Sequence, residues 1–312
     1  MLAVDIGGTK MAAGVLAADG TTAVDRRLPT PPGVGADAET LWSVLVGLVR
    51  DVLDAAGRPR LAGVGVGCGG PMTWPAGAVS PVNIPGWRGF PLRARLAAEF
   101  PGLPVRVHND AVCLALAEHW RGAARGHSHA LGMVVSTGVG GGLVLGGRVV
   151  DGATGNAGHI GHIVVDPAGP ICPCGNRGCL EIVASGPAVA RWAAGQGWRP
   201  PPGTAGSARD VAAAALAGDP VAAAAFGRAG RMLGQGIAMA VTLVDVSVVT
   251  IGGGLAQAGD LLFGPLHTSY AQFARFRYAR AARVVPAALG ASGGLVGAAA
   301  LILAGDRYWN AD

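Results

Sequence analysis

Read from its hydrophobic pattern, the chain alternates short apolar runs with glycine-rich breaks. Residues 2–5 form an apolar run that halts at Asp5, Gly7 and Gly8, and residues 11–17 resume it. This predicts a strand, a tight turn and a second strand, with Asp19-Gly20 as the next hairpin turn. Residues 29–35 read as a proline- and glycine-rich loop. Leu41, Val44, Leu45, Leu48, Val49, Val52 and Leu53 recur at three- and four-residue steps, which predicts a helix over 38–56. A buried strand is expected at 61–66, a short helix at 90–100, a strand at 105–107 leading into His108-Asn109-Asp110, and a helix over 111–120.

After Gly126 the opening theme returns. Residues 130–135 predict a strand, 136–142 a glycine-rich turn carrying Thr137, and 143–145 another strand. Two such units suggest a duplicated α/β domain, each half offering a turn able to bind phosphate. Residues 155–181 are irregular, 209–244 largely helical, 246–251 a strand ending in Gly252-Gly253-Gly254, and 290–304 a closing helix.

Composition narrows the class. A chain of 312 residues suits two domains, and 51% apolar with only 14% charged residues excludes intrinsic disorder. The 53 glycines are about twice the usual share. They cluster, as expected where backbone turns tightly or approaches a ligand. The net charge of +5 comes from scattered arginines, which points to solubility rather than nucleic-acid binding. The longest apolar stretches, 237–255 and 293–304, are interrupted by Asp245, glycine-rich or too short to span, so no membrane association is expected. Residues 1–5 lack the basic opening of a secretory signal, and five cysteines, an odd number, argue for reduced thiols in a cytoplasmic protein.

Three constellations carry chemistry. In the first turn, Gly7 and Gly8 expose amides, Thr9 adds a hydroxyl, Lys10 a charge, and Asp5 a carboxylate suited to Mg²⁺. Alone this reads equally as an ordinary hairpin; the second copy, Thr137 to Gly141, tips the balance toward phosphate. Asn109 and Asp110 stand between a strand and a helix, where spacing alone favours helix capping over proton transfer. Cys172, Cys174 and Cys179, with His162 ten residues before the first, make a tetrahedral zinc set with no open position, hence structural. The remaining Cys68 and Cys113 lie on apolar segments. Gly65-x-Gly67-x-x-Gly70 matches a dinucleotide fingerprint, but Pro71, Trp74 and Pro75 follow where that fingerprint needs a helix. Its glycines are expected to let a strand end pass close to a substrate.

These pieces, in this order, resemble the ROK family of repressors, open reading frames and sugar kinases. The matching stretches are Asp5 to Lys10, Val107 to Asp110, Ser136 to Gly141, Gly158 to His162 running through Cys172 to Glu181, and Ile251 to Gly254. The resemblance implies an α/β, actin/hexokinase-like (ribonuclease H-like) fold of two lobes around a central cleft. The lobes would be an N-terminal lobe 1–113, a C-terminal lobe 114–289, and a closing segment 290–312 packing back on the first. It implies an ATP-dependent hexose kinase using Mg²⁺. ATP would meet Asp5, Gly7, Gly8, Thr9, Lys10, Thr137, Gly138 and Gly140, with adenosine near Gly253 and Gly254. Asp110 corresponds to the general base for the sugar's 6-hydroxyl. Asn109, His162 and Glu181 correspond to sugar-contacting positions, and Gly70 and Asn83 lie in segments that touch sugar in relatives. Relatives are commonly dimers or tetramers.

One departure bears on the substrate. The family usually has Glu where this chain has His159. The His-Ile-Gly-His string resembles bacterial N-acetylmannosamine kinases, whose sugar is a 2-acetamido-hexose, while 83–87 look like general ROK hexokinases. The expectation leans to a glucokinase type, with N-acetylmannosamine as the alternative. A DNA-binding repressor is disfavoured because the phosphate turn begins at Asp5. A non-catalytic sugar sensor is disfavoured because Asp5, Thr9, Asp110 and Thr137 are intact.

Overall fold

Period-two alternation builds the first sheet from β1 (Leu2–Ile6), β2 (Lys10–Leu16) and β3 (Thr22–Pro29). Leu2, Val4 and Ile6 face one side with Met11, Ala13 and Val15; Ala3, Ala12 and Leu16 face the other. The computed structural model describes residues 1–31 and 37–310, so most of the loop expected at 29–35 lies outside the described residues. Helix α1 (Ala38–Ala55) starts at Asp37, whose carboxylate accepts the Thr40 N–H, and lays Leu41, Trp42, Leu45, Leu48 and Val52 on the first face.

The chain continues through β4 (Val64–Cys68), the short strands β5 (Met72–Thr73) and β6 (Ala78–Val79), α2 (Leu92–Glu99), β7 (Val105–Asn109) and α3 (Asp110–Arg121). The sheet order is β3-β2-β1-β4-β7, antiparallel through β3, β2 and β1 and parallel through β1, β4 and β7.

Next come β8 (Ala130–Val135), β9 (Val139–Leu145) and β10 (Arg148–Val149). After the irregular stretch follow α4 (Leu180–Ala184), α5 (Gly186–Gly195), α6 (Ala208–Leu216), α7 (Pro220–Val244), β11 (Val248–Gly252), α8 (Asp260–Phe273), α9 (Arg277–Ala281) and β12 (Arg283–Pro286). The order β10-β9-β8-β11-β12 repeats the first sheet's scheme, with β11 parallel to both β8 and β12. Helices α10 (Gly293–Leu303) and α11 (Gly305–Tyr308) complete the chain. No single helix among the described residues is long and apolar enough to cross a membrane.

Compactness divides the chain into one unit of residues 1–128, 142–158 and 289–312 and another of 129–141 and 159–288. This differs from the linear limits at 113 and 289. In the first unit α10 packs Leu295, Val296, Ala298 and Ala299 on the second face of the sheet, against Ala3, Ala12, Leu16 and Ala117 of α3. A Cβ at Gly65 would overlap the Ala298 carbonyl, and one at Gly297 the Cys113 carbonyl. Gly65 of β4 therefore admits close packing of α10.

One reading of the pattern changes, and one element lay outside it. The turn after β8 is shorter than expected, because Gly140, Gly141 and Gly142 lie inside β9. Gly142 is there because a Cβ would press on Val112 of α3. Helix α8 has no clean periodic signature in sequence because Gly264 and Pro265 interrupt it; Gly230 and Gly234 of α7 let its backbone approach.

Candidate active site and metal centre

In the first unit, β1 delivers Asp5 to the mouth of a tight turn. The Gly7 N–H donates to the Lys10 carbonyl (2.9 Å), the Thr30 hydroxyl to the Gly7 carbonyl (2.7 Å), and the Thr30 N–H to the Thr9 carbonyl (3.1 Å). Gly8, Thr9 and Lys10 are exposed at the tip. A Cβ at Gly8 would overlap that of Asn83, so Asn83 sits directly against this turn. Gly70 lies on the same stretch, its carbonyl accepting the Val82 N–H (3.3 Å).

The junction of β7 and α3 sets Asn109 and Asp110. Asn109 is the N-cap, its Oδ1 accepting the Ala111 N–H at 3.0 Å, which leaves its Nδ2 as the donor end. Asp110 opens the helix, and its Oδ1 accepts the same N–H at 2.8 Å. The capping reading is met by Asn109, with Asp110 accepting the same N–H. Burial pushes the Asp5 carboxyl up to about 7, with the Asp110 charge adding to the rise and Lys10 and Arg27 opposing it. The start of α10 abuts Asp5: a Cβ at Gly294 would overlap its carboxylate. Two neighbouring carboxylates, one raised by burial, are a hard-oxygen donor set of the kind Mg²⁺ takes, and a cation there would favour their ionised forms. Cys68 and Cys113 lie close by, and burial pushes both thiols well up, so they are inert there.

In the second unit, the turn after β8 closes by the Ser136 N–H donating to the Gly138 carbonyl (2.8 Å). The Gly186 N–H donates to the Ser136 carbonyl (2.7 Å), and the Val139 N–H to Glu181 Oε2 (2.9 Å). One oxygen of Glu181 is therefore committed to the turn, and a Cβ at Gly138 would come within 2.6 Å of it. Thr137 is exposed at the tip, while Gly140 is already in the strand. Gly253, at φ +96°, presses its backbone on Val135, and Gly254 faces the Ser136 hydroxyl. The β11 glycines thus lie beside this turn because β8 and β11 are parallel neighbours.

His162, Cys172, Cys174 and Cys179 come together with all ligand atoms within 4.8 Å of one another. Cys174 Sγ and Cys179 Sγ are 3.6 Å apart, and Cys172 Sγ lies 3.7 Å from His162 Nδ1. Those edges match a tetrahedron of Zn–S and Zn–N bonds of about 2.3 and 2.0 Å. The knuckle is closed by the Cys172 N–H to the Asn176 carbonyl (2.7 Å) and the Gly175 N–H to the Cys172 carbonyl (2.9 Å). Gly175 and Gly178 turn at φ +95° and +67°. Burial raises the Cys172 and Cys179 thiols, the latter to about 12, so a cation is what would hold them as thiolates. His162 points Nδ1 at the sulfurs, which leaves Nε2 as the outward donor. The His159 ring runs nearly parallel to it, with centroids 6.3 Å apart.

Three further residues escaped the sequence reading. His108 is fully buried and bonded to Asp151, which is bonded to Asn310. His108 stood inside the matched stretch Val107 to Asp110 without a role of its own; Asp151 and Asn310 carry no local signal.

A model of the ROK family matches residues 1–304. The chain is 34% identical to a glucokinase of Streptomyces coelicolor over 315 aligned residues, 96% of each protein. It is 38% identical to an N-acetylmannosamine kinase of Shigella flexneri over 264 residues, 84% of this chain and 85% of that one. Its fold matches a ROK family glucokinase from Streptomyces griseus in complex with glucose and AMPPNP, with a TM-score of 0.83, 34% identity, and 97% and 98% of the two chains covered.

Proposed function

The chain belongs to the ROK family, with its actin/hexokinase-like fold, and is a sugar kinase; on that premise we propose that it transfers the γ-phosphoryl group of ATP to the 6-hydroxyl of a hexose, glucose first. The observation that carries this reading is the acid corner of the first unit, where Asp110 at the head of α3 neighbours the buried Asp5. Asp110 takes the proton of the sugar hydroxyl as its oxygen bonds to the γ-phosphorus. The bond from that phosphorus to the bridging oxygen breaks, and ADP leaves. Asn109 donates through Nδ2 to a sugar hydroxyl and fixes the acceptor in front of Asp110. Gly70 and Asn83 belong to the same sugar-binding reading.

Asp5 would hold Mg²⁺, which when bound neutralises phosphate charge. The amides at Gly8, Thr9 and Lys10 take phosphate oxygens in the first unit, while the Gly7 N–H closes the turn on the Lys10 carbonyl. Thr137, Gly138 and Gly140 do so in the second, with adenosine against Gly253 and Gly254. His162, Cys172, Cys174 and Cys179 would hold zinc, which would supply no chemistry to the transfer; with Nδ1 so engaged, His162 donates through Nε2 to a sugar hydroxyl. Glu181 holds the second turn and offers its other oxygen to the sugar.

His159 favours a second reading. A neutral imidazole offers one donor and one acceptor and no fixed charge, which suits an acetamido group as well as a hydroxyl. The N-acetylmannosamine kinase relative supports the same alternative. A homo-oligomer, dimer or tetramer, is part of this reading and is checked by light scattering. The deciding experiment is ADP release from Mg·ATP against glucose, mannose, N-acetylglucosamine and N-acetylmannosamine. Glucose giving the highest kcat/KM supports the glucokinase reading. N-acetylmannosamine giving the highest moves the assignment to the amino sugar, and no sugar-dependent ADP release overturns both.

A further inference from the structure

His108 is the penultimate residue of β7, with no solvent exposure, and it lies one position before the Asn109-Asp110 pair. Its Nδ1 accepts the backbone N–H of Asn109 at 2.8 Å. A neutral ring accepting at Nδ1 carries its proton on Nε2. That nitrogen lies 3.0 Å from Asp151 Oδ1, in position to donate. The second oxygen of Asp151 accepts from Asn310 Nδ2 at 2.6 Å, and the same nitrogen reaches the Val149 carbonyl at 3.2 Å. The Trp74 ring covers the imidazole, with centroids 4.9 Å apart, and Trp309 meets Trp74 edge-on at 4.6 Å. Ring plane, tautomer and position are therefore all set from behind.

An apolar residue would fill this buried place without needing partners. A buried polar ring is costly unless it is bonded, and here both nitrogens are. The end of the bonded chain that matters is the Asn109 N–H. It belongs to the residue whose Oδ1 caps α3 and whose carbonyl begins the peptide to Asp110. That N–H is part of the His108–Asn109 peptide; its rotation would swing Asn109 and with it the Asp110 carboxylate, and misplacement by about 1 Å costs roughly a hundredfold in rate.

We propose that His108 is a positioning residue for phosphoryl transfer: its Nδ1, held by Asp151 and Asn310, fixes the His108–Asn109 peptide and thereby, through Asn109, aims the Asp110 carboxylate. The proposal rests on the reading of Asp110 as the base.

The test compares His108→Gln and His108→Asn with Asp110→Asn in the full-length protein, using Mg·ATP and the best sugar of the panel. A Gln amide reaches the place of Nε2 and keeps the Asp151 contact, but it offers nothing at Nδ1. An Asn carbonyl stands where Nδ1 stands. His108→Gln is expected to lower kcat by about 10–100-fold with KM for both substrates within about threefold, and His108→Asn to recover most of that loss. Asn310→Ala, which removes the far end of the chain from an exposed residue, is expected to lower kcat in the same sense by a smaller factor. If His108→Gln does not fold, Asn310→Ala carries the test, and an unchanged kcat there overturns the proposal. If Asp110→Asn loses turnover while His108→Gln keeps wild-type kcat, or His108→Asn recovers nothing, the positioning role is overturned and the base stands. If Asp110→Asn itself keeps wild-type turnover, the base reading fails, and this proposal with it.

Discussion

The acid corner of the first unit and the cysteine knuckle of the second hold their functional groups by opposite means. Asp5 and Asp110 sit at the ends of β1 and β7, on a sheet covered by α1 on one face and by α3 and α10 on the other. Packing and buried hydrogen bonds within that core define their backbone, and the core tolerates a raised carboxyl in return for its placement. The knuckle at 163–179 contributes little apolar packing, chiefly Ile163 and Val165 against α7, while Val164 and Ile171 are exposed. What holds it is backbone turns and the Arg228–Asp166 pair at 3.3 Å, around four side chains that converge as a metal set would. Where hydrophobic area is plentiful, a fold can place charge against its preference. Where it is scarce, a ligand set has to do the ordering.

The sharpest way to break this comparison is Asp110→Asn. Turnover is expected to fall by about 10²–10⁴-fold with the melting temperature unchanged, because the sheet and helices hold the corner without that charge. Calorimetry alongside steady-state kinetics checks both halves, and wild-type kcat would remove Asp110 from the mechanism. Cys174→Ser is expected to act the other way round. Metal content by elemental analysis drops, proteolysis opens residues 163–179, and activity falls by about 10–100-fold through misplacement of His162. Full metal occupancy in the variant, or undenatured wild-type protein free of zinc, contradicts the four-ligand site.

His159→Glu sharpens the comparison on the sugar. It is expected to raise the ratio of glucose to N-acetylmannosamine kcat/KM by about tenfold, since a fixed carboxylate accepts from hydroxyls but offers the acetamido carbonyl no donor. An unchanged ratio makes His159 a support for its neighbour and not a specificity residue.

The smallest effect is on stability. The Asp5 carboxyl titrates near 7 when folded and near 3.8 otherwise, so between those values the folded chain holds a proton that the unfolded chain has lost. Stability therefore falls as pH rises through that window, and the deficit is complete above it. Asp5→Asn is expected to melt a few degrees higher than wild type at pH 8 in metal-free buffer, with the gap closing toward pH 4. A gap that is constant with pH would mean that Asp5 is not raised.

The strands, helix α1, the β7–α3 junction and the Cys/His spacing were legible from sequence because each rests on a local pattern: period two, period 3.6, a cap, or ligands within a few residues. The glycines were only half legible. Their surplus pointed to close approach, but whether the approaching group was a ligand or a helix was not encoded nearby. Gly65 and Gly297 turned out to admit helix packing, and Gly140 to Gly142 to continue a strand. The pull of Asp110 on Asp5 was likewise invisible, since β4 has to lie between β1 and β7 for their ends to neighbour.

By itself, the sequence determined the element types, the two glycine turns, the Cys/His set that converges and the position of the candidate base, since short-range geometry and side-chain chemistry suffice for those. Only the tertiary structure decided which carboxylates share a corner, which way the His162 ring faces, and that Asp151 and Asn310 stand behind His108. Those contacts join residues 43 and 159 positions apart, and what brings them together is the packing of whole sheets and helices, which no window of the chain contains.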